Sequence, residues 1–448
     1  MSSSNEIEAP IEAWGRVSRV ATQRMGEDLP AITEGSTLSR GLGRAYGDSA
    51  LPARPGGVVS TTVLADRILA FDPETGELHA EAGLSLREIF RLFLPRKFYV
   101  HVTPGTSYVT LGGMVAADVH GKDHRAGTIG NSLVALRMRL ADESIVWCSP
   151  QEHSDLFWAT VGGMGLTGHI LEVKLRLAKL PSPWIHGVSE RVPDIHTMIR
   201  RIQETADEWP MAVGWVDTTA TGSQLGRGIF EYGAWASEAE APVEPPAQKR
   251  RFSLPDVFPR WLINRLTCRI FNFLWYWKHL PLRKEGVVHP ESFFYPLDMF
   301  AHWNRAYGRG GLFTQYQCVL PFEAGTEAPG QFLQLLQDLG GYSFLTVIKT
   351  AGPESQGMLS FPKPGITIAI DLRIEPGIQE IVDGLNQFTM SKGGRIYLAK
   401  DRFTLPEHFR AMETRLEAFQ EVRRRYDPDL RIRSAQSVRL LGDPSEET

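Results

Sequence analysis

Cysteine is scarce: the chain has three, Cys148, Cys268 and Cys318, widely separated and odd in number. No CxxC pair or Cys/His cluster occurs, which argues against a disulfide framework and a structural zinc site. Long apolar runs are missing as well. No stretch nears the ~18 uninterrupted apolar residues of a transmembrane helix. The N-terminal MSSSNEIEAPIEAWGRVSRV has no basic region followed by an apolar core, so no Sec-type signal is expected. Net charge is small, a formal -4, which removes the bulk electrostatic case for nucleic-acid binding. Walker sequences, GxSxG elbows and internal repeats are absent too. A reducing compartment fits, so the protein is expected in the cytoplasm or peripherally at the inner membrane, with the periplasmic face left open.

The 448 residues amount to about three typical domain lengths, and two or three domains are expected. With 42% hydrophobic and 22% charged residues, the chain has the balance of a soluble globular protein with a large core. Residues 11 to about 180 hold short β-branched runs broken by glycine: GVVSTTV from Gly57, LVALRMRL from Leu133 and ILEVKLRL from Ile170. The last alternates with the period of a half-buried strand. Ser85 to Leu94 has a helical apolar period instead, and the mixture predicts an α+β domain. Beyond Pro181 and Pro183 come an acidic, Pro-rich stretch from Ser237 to Gln248 and strand-like runs at Phe313 to Leu320 and Ile366 to Ile374. A charged amphipathic helix is expected from Pro406 to Tyr426.

Three glycine-rich segments bear on chemistry. The first, from Arg40, reads RGLGRAYGDSA; closely spaced glycines let backbone N–H groups approach a phosphate, although a tight inter-strand turn uses the same residues. The second, Thr103 to Asn131, holds Gly105, Gly112, Gly113, Gly121, Gly127 and Gly130, with Ala116 and Ala117 between them. So many small residues imply that the backbone itself lines a ligand. His120, Lys122 and His124 share this segment, but no carboxylate pair or cysteine accompanies them, so no metal is expected. The third, Asp155 to Ile170, contains Gly-Gly-x-Gly-x-x-Gly. It precedes a strand rather than opening a helix after one, which rejects an NAD-binding Rossmann reading.

Together, and in this order, the segments resemble the FAD-binding domain of the vanillyl-alcohol oxidase superfamily. That resemblance implies an α+β fold: a two-subdomain domain holding FAD extended, facing an antiparallel-sheet substrate domain. It assigns Gly41, Gly43, Arg44, Ala45, Tyr46 and Gly47 of the first segment to the cofactor. From the second it assigns Pro104, Gly105, Thr106, Gly112, Gly113, Ala116, His120, Gly121, Gly130 and Asn131. Gly162, Gly168 and Ile170 of the third, and Tyr397 near the C-terminus, complete the set. Many oxidases of the superfamily attach FAD to a histidine in the first glycine loop; the nearest equivalent here is Tyr46, which implies non-covalent FAD.

Further motifs narrow the resemblance. LPDVFP from Leu254, FYPLDMFAHWNRAYG from Phe294, QYQCVLP from Gln315, LSFPKPG from Leu359 and GGRIYLAKD from Gly393 are similar to the oxidase subunits of decaprenylphosphoryl-ribose 2-epimerases. The similarity runs over nearly the whole chain. It implies oxidation of the ribose 2-hydroxyl of a polyprenyl phosphate to a 2-keto sugar, the first half of epimerisation to the arabinose donor for cell-wall or glycolipid synthesis. An NAD(P)H-dependent short-chain reductase would take the keto product, and oxygen or a quinone-like acceptor would reoxidise the flavin. Lys122, Gln315, Gln317, Lys349 and Lys400 would line the substrate pocket. Tyr397, Lys400 and His120 all remain candidates for the group that takes the hydroxyl proton. Mycobacterial relatives carry a cysteine where this chain has Ala369, implying insensitivity to inhibitors that need the thiol. The implied spans are a cofactor domain over 1–184 with a C-terminal return over 395–448, and a substrate domain over 185–394 with a mobile segment near 237–290.

Residues Lys249 to Lys284 interleave cations with Trp261, Phe271, Phe273, Trp275, Tyr276 and Trp277. Such a composition suits a membrane surface and equally suits a helix packed on the substrate domain. The alternative to a lipid-linked substrate is a free sugar, alditol or aldonolactone, as in soluble oxidases of the same superfamily.

Overall fold

The glycine-broken runs of the first 180 residues form two small sheets, described here from a computed structural model that covers residues 5–280 and 282–445. Residues 1–4, 281 and 446–448, which fall within the implied spans, lie outside the described residues. Strands β1 (Asn5–Glu12), β2 (Ser18–Met25), β3 (Leu38–Arg40) and β4 (Val58–Thr61), with helix α1 (Leu29–Thr33), make a sheet ordered β1-β2-β4-β3. Its β2–β4 and β4–β3 pairings are parallel.

The second sheet is antiparallel, ordered β5-β6-β10-β8-β9. Its members are β5 (Ile68–Phe71), β6 (Glu77–Glu81), β8 (Leu133–Arg139), β9 (Ile145–Cys148) and β10 (His169–Arg176). β7 (Phe98–Tyr99) pairs separately with β11 (Ala178–Lys179). Helices α2 (Leu86–Phe93), α3 (Leu111–Ala116) and α4 (Ser154–Thr160) pack on this unit. The apolar period seen from Ser85 produces α2: the Ser85 hydroxyl accepts from the Glu88 amide, and Ile89, Phe90 and Phe93 enter the core.

An eight-stranded sheet follows, ordered β16-β12-β14-β13-β19-β20-β18-β21. In chain order its elements are β12 (Ile185–Val192), α5 (Ile195–Thr205), β13 (Met211–Val216), β14 (Gly228–Trp235), α6 (Arg265–Lys278), β16 (Arg283–Val288) and α7 (Pro290–Phe294). Then come β18 (Phe313–Pro321), α8 (Ala328–Asp338), β19 (Thr346–Ala351), β20 (Gly365–Arg373), α9 (Ile378–Ser391) and β21 (Arg395–Ile396). A two-strand parallel pair, β15 (Phe252–Ser253) and β17 (Phe300–Ala301), lies outside it. Every pairing in the large sheet is antiparallel. Helices α5, α8 and α9 bury Ile199, Phe332 and Leu385 against it in one apolar core. This is the α+β architecture the sequence implied. β18 is buried at all nine positions, so the sheet is covered on both faces there.

The expected helix from Pro406 to Tyr426 is two: α10 (Pro406–Met412) and α11 (Leu416–Tyr426). Glu413 breaks it with an extended backbone, and its buried carboxylate accepts from the Arg415 guanidinium at 2.9 Å and lies 3.7 Å from Arg395. With α12 (Ala435–Leu441) the chain returns to the first sheet: Arg439 binds Asp48 and Asp401, each at 2.8 Å.

Candidate active site

One face of the large sheet is turned toward the second glycine segment. Strand register places Gln315 opposite Asp371, Gln317 opposite Ala369, and Lys349 opposite Thr367. Pleat alternation then puts all six on that face. From the other side, the chain leaving α3 brings His120, Gly121 and Lys122. The Gln317 amide nitrogen is 2.9 Å from His120 Nε2 and 3.1 Å from the Thr367 hydroxyl. Lys349 Nζ donates to the Gly121 carbonyl at 2.8 Å. Lys122 donates to the Phe293 carbonyl and lies 4.6 Å from the Phe293 ring centroid.

Tyr397 and Lys400 follow β21. The His120 ring lies 5.0 Å from Tyr397 and 5.1 Å from Phe361, which also packs on Tyr397 at 5.0 Å. Tyr397 donates its hydroxyl to the Ala117 carbonyl at 3.0 Å. Tyr46 is buried between Phe313 and the Lys400 ammonium, and the Gln315 amide lies 3.5 Å from its hydroxyl. The structure thus gathers His120, Lys122, Gln315, Gln317, Lys349, Tyr397, Lys400 and Tyr46 in one neighbourhood.

Burial dominates the electrostatics here. It pushes the Lys349 amine down to about 7, with Lys122 and Lys400 adding repulsion. Burial also lowers Lys400, while the Asp371 carboxylate opposes that shift. Asp371 is itself raised by burial, against the stabilising effects of Gln315, Lys400 and Tyr307. His120 falls well below the usual imidazole range, first from burial and then from Lys349 and Lys400, so it is neutral. Lys122 is lowered by burial, with Glu231 raising it. Three buried amines thus share this region with few carboxylates, a balance that favours an anionic guest.

The first glycine loop lies along the same region. Gly43 has φ +62, which only glycine adopts freely, and its Cβ would strike the Arg40 guanidinium. Among the described residues, the amides of Leu42, Gly43 and Arg44 donate to no protein acceptor, the arrangement of an anion-binding nest. Arg44 stacks over Trp14 at 4.2 Å, and burial lowers its pKa. Gly47 abuts the Asp401 carbonyl, and the Tyr46 amide donates to the Ala399 carbonyl at 3.0 Å, so this loop is tied to the Lys400 segment.

In the second segment Gly105 faces open space, where a side chain would obstruct an approaching ligand. Thr106 and Ser107 are pinned by Asp298, whose carboxylate accepts from the Thr106 hydroxyl at 2.6 Å and the Ser107 amide at 2.7 Å. Gly112 packs on Ala82, and Gly41 and Gly113 face Thr110. The Asp118 carboxylate accepts from the Gly130 amide at 3.0 Å and from the Ser360 hydroxyl. Asn131 binds the Ala126 carbonyl at 3.0 Å. Gly162, with φ +82, sits beside Ser360. Gly168 and Ile170 have other neighbours: Gly168 abuts the Arg139 carbonyl, and Ile170 belongs to the core under the second sheet.

These residues fit FAD on a direct criterion. With Gln317 donating to Nε2, the His120 hydrogen sits on Nδ1, and this buried atom has no partner among the described residues. An acceptor on a bound ring system would satisfy it, as the free amides of the first loop would a pyrophosphate.

Comparison with known proteins agrees. The family described as an FAD binding domain matches residues 33–149. The chain is 35% identical over 442 residues to decaprenylphosphoryl-β-D-ribose oxidase of Mycolicibacterium smegmatis, covering 94% of each chain. This chain belongs to the decaprenylphosphoryl-β-D-ribose oxidase family. It is accordingly an FAD-dependent oxidoreductase. An uncharacterised protein of Streptomyces coelicolor is 29% identical over 359 residues, 77% of this chain and 96% of that protein. The L-gulonolactone oxidase of Mus musculus is 28% identical over 111 residues, a quarter (25%) of each chain. Similarity to the lactone oxidase is thus partial, whereas similarity within the family includes the eight-stranded sheet.

Sequence reading missed Asp371, Thr367, Phe361, Asp118 and Asp298. Asp371 and Thr367 were within reach, since each stands two residues from Ala369 in the alternating run GITIAIDL and shares its face. The other three are placed by contacts between distant segments.

Proposed function

We propose that this oxidoreductase oxidises the ribose 2-hydroxyl of a polyprenylphosphoryl-ribose to the 2-keto sugar. The observation that carries this reading is the buried group Lys122, Lys349 and Lys400 beside neutral His120 and the glycine segments. A free alditol would bring no charge to it, whereas a sugar phosphodiester would. When bound, FAD supplies the acceptor for the hydride that leaves the carbinol carbon.

The protein's own groups orient the sugar and take the remaining proton. Lys349 and Lys122 hold the phosphodiester, and Gln315 and Gln317 bind sugar hydroxyls from the sheet. Lys400 fits the base role best of the three candidates, because burial leaves a neutral fraction of its amine near physiological pH. Burial and nearby Asp118 raise the Tyr397 phenol, and its hydrogen is committed to Ala117. Both His120 nitrogens are engaged if Nδ1–H meets the cofactor, so His120 positions rather than titrates.

FAD is held non-covalently, since Tyr46 stands where covalent relatives have a histidine and its buried hydroxyl is raised well above the usual range. An NAD(P)H-dependent short-chain reductase takes the keto product onward, and oxygen or a quinone reoxidises the cofactor. No helix among the described residues is long and apolar enough to cross a membrane, and the lipid-linked substrate places the enzyme at a membrane surface. Trapping the product with borodeuteride tests the reading. Deuterium at C2 of the sugar supports it, and deuterium at any other carbon rejects it.

A further inference from the structure

Helix α6 has two faces of opposite character. Asn264 caps its start, accepting from the Leu266 and Thr267 amides at 2.9 and 3.1 Å. Cys268, Asn272 and Tyr276, spaced i, i+4, i+8, form the buried face. Asn272 donates to Asp217 and to the Ser343 carbonyl, both at 2.9 Å. Arg191 lies 4.3 Å from the Trp277 ring centroid, and Arg227 lies 4.9 Å from that of Tyr276. These contacts fasten α6 to the large sheet, as the packed-helix reading of this segment implied.

The opposite face is apolar and uncovered. Leu266, Ile270, Phe273 and Leu274 are 50–66% exposed, and Trp261 and Leu280 extend the patch at 69% and 72%. Single exposed apolar residues are ordinary, but a contiguous stripe along a 14-residue helix marks an interaction surface. Its borders are cationic. Arg269 and Lys278 flank the stripe on either side, and the stretch from Lys249 to Lys284 holds nine Lys or Arg against one Asp. That Asp, Asp256, is paired with Arg16 at 2.9 Å. The whole chain is net negative, so this charge is local.

We propose that the outer face of α6 docks on a bilayer carrying anionic phospholipid, with the Leu266–Leu274 stripe in the acyl boundary, Trp261 and Trp277 at headgroup depth, and the basic rim on lipid phosphates. A second copy of the chain is the poorer occupant, because facing rims would oppose like charges. The proposal deepens the lipid-linked substrate reading, naming the surface by which the enzyme meets the membrane that holds the tail.

Flotation of the FAD-loaded protein with phosphatidylcholine vesicles, with and without about a third phosphatidylglycerol, tests it. Expected are co-flotation with the anionic vesicles, weakening with salt, and quenching of tryptophan fluorescence by brominated lipid. The double variant I270E/L274E should partition at least about tenfold more weakly, with FAD content and melting temperature unchanged. Wild-type protein that stays unbound and unquenched overturns the proposal. So does a double variant that floats like the wild type, or a concentration-dependent dimer abolished by these substitutions in the absence of vesicle binding. The vesicles contain no prenylated sugar, so the result is independent of the substrate assignment.

Discussion

The Lys400 ammonium lies 4.0 Å from the centroid of the Tyr46 ring, joining the segment after the large sheet to the first glycine loop. A cation held against a ring in a buried site is both attracted and desolvated. On the proposed mechanism, replacing it removes the base and loosens the loop. K400M should slow anaerobic flavin reduction by about 10²- to 10³-fold while FAD remains bound. Stopped-flow absorbance with the lipid-linked ribose checks this, and a loss under about threefold would remove Lys400 from the mechanism.

Lys349 gives a pH dependence. In its proposed role the amine must be charged to hold the phosphodiester, which stays a monoanion throughout this range. With Lys349 near 7 and Lys400 near 8 in the free enzyme, charged Lys349 is lost over the interval in which neutral Lys400 is gained, so kcat/KM should be greatest between these values and decline above about pH 8. The decline in kcat should come at higher pH, because bound anion favours the charged amine. In K349M that limb of kcat/KM should vanish and KM should rise at low pH.

Asp371 acts on Lys400 by charge. Its carboxylate raises the Lys400 pKa, so D371N should move the limb that reports the neutral amine toward lower pH. Since Asp371 also accepts from Gln315, the variant should raise KM as well. A pH–rate profile of flavin reduction separates the two effects, and an unmoved limb would uncouple the pair.

The Asp118–Ser360 contact ties the cofactor-side chain to the loop bearing Phe361, which packs on His120 and Tyr397. Asp118 is fully buried and its carboxyl is raised by burial, so removing its partner is costly. S360A should destabilise the protein by about 1–3 kcal/mol and shift the visible flavin spectrum. Unchanged denaturation with an unchanged spectrum would show the contact to be idle.

Thiol chemistry offers an independent check. Cys148, Cys268 and Cys318 are buried, and burial pushes each thiol up to about 12, so the wild type should resist N-ethylmaleimide at neutral pH. Ala369 sits on the site face between Gln317 and Val347. A369C should become inactivated by thiol reagents, with protection by substrate. Equal resistance of wild type and variant would place position 369 away from the pocket.

Much of the fold was legible because local pattern and tertiary role coincide. The runs at 133–140, 170–177, 313–320 and 366–374 hold β8, β10, β18 and β20, and the helical period from Ser85 holds α2. Where tertiary contacts decide, the pattern misled: Glu413 splits a helix because Arg395 and Arg415 hold it. The same division applies at the site. Glycine spacing and motif resemblance pointed to the chain near His120, Lys349, Tyr397 and Lys400, residues from three separate segments. The partnership of Asp118 with Ser360 spans 242 positions and left no local trace. Asp371 left one, in its alternation with Ala369.

The central claim is that a lipid-linked ribose phosphate, not a free polyol, reduces this flavoenzyme. Mixing the FAD-loaded protein anaerobically with polyprenylphosphoryl-ribose and, separately, with free pentoses and alditols tests it through the visible flavin band. The account predicts bleaching by the lipid-linked ribose alone. Bleaching by free polyols, with none by the lipid-linked sugar, would contradict it.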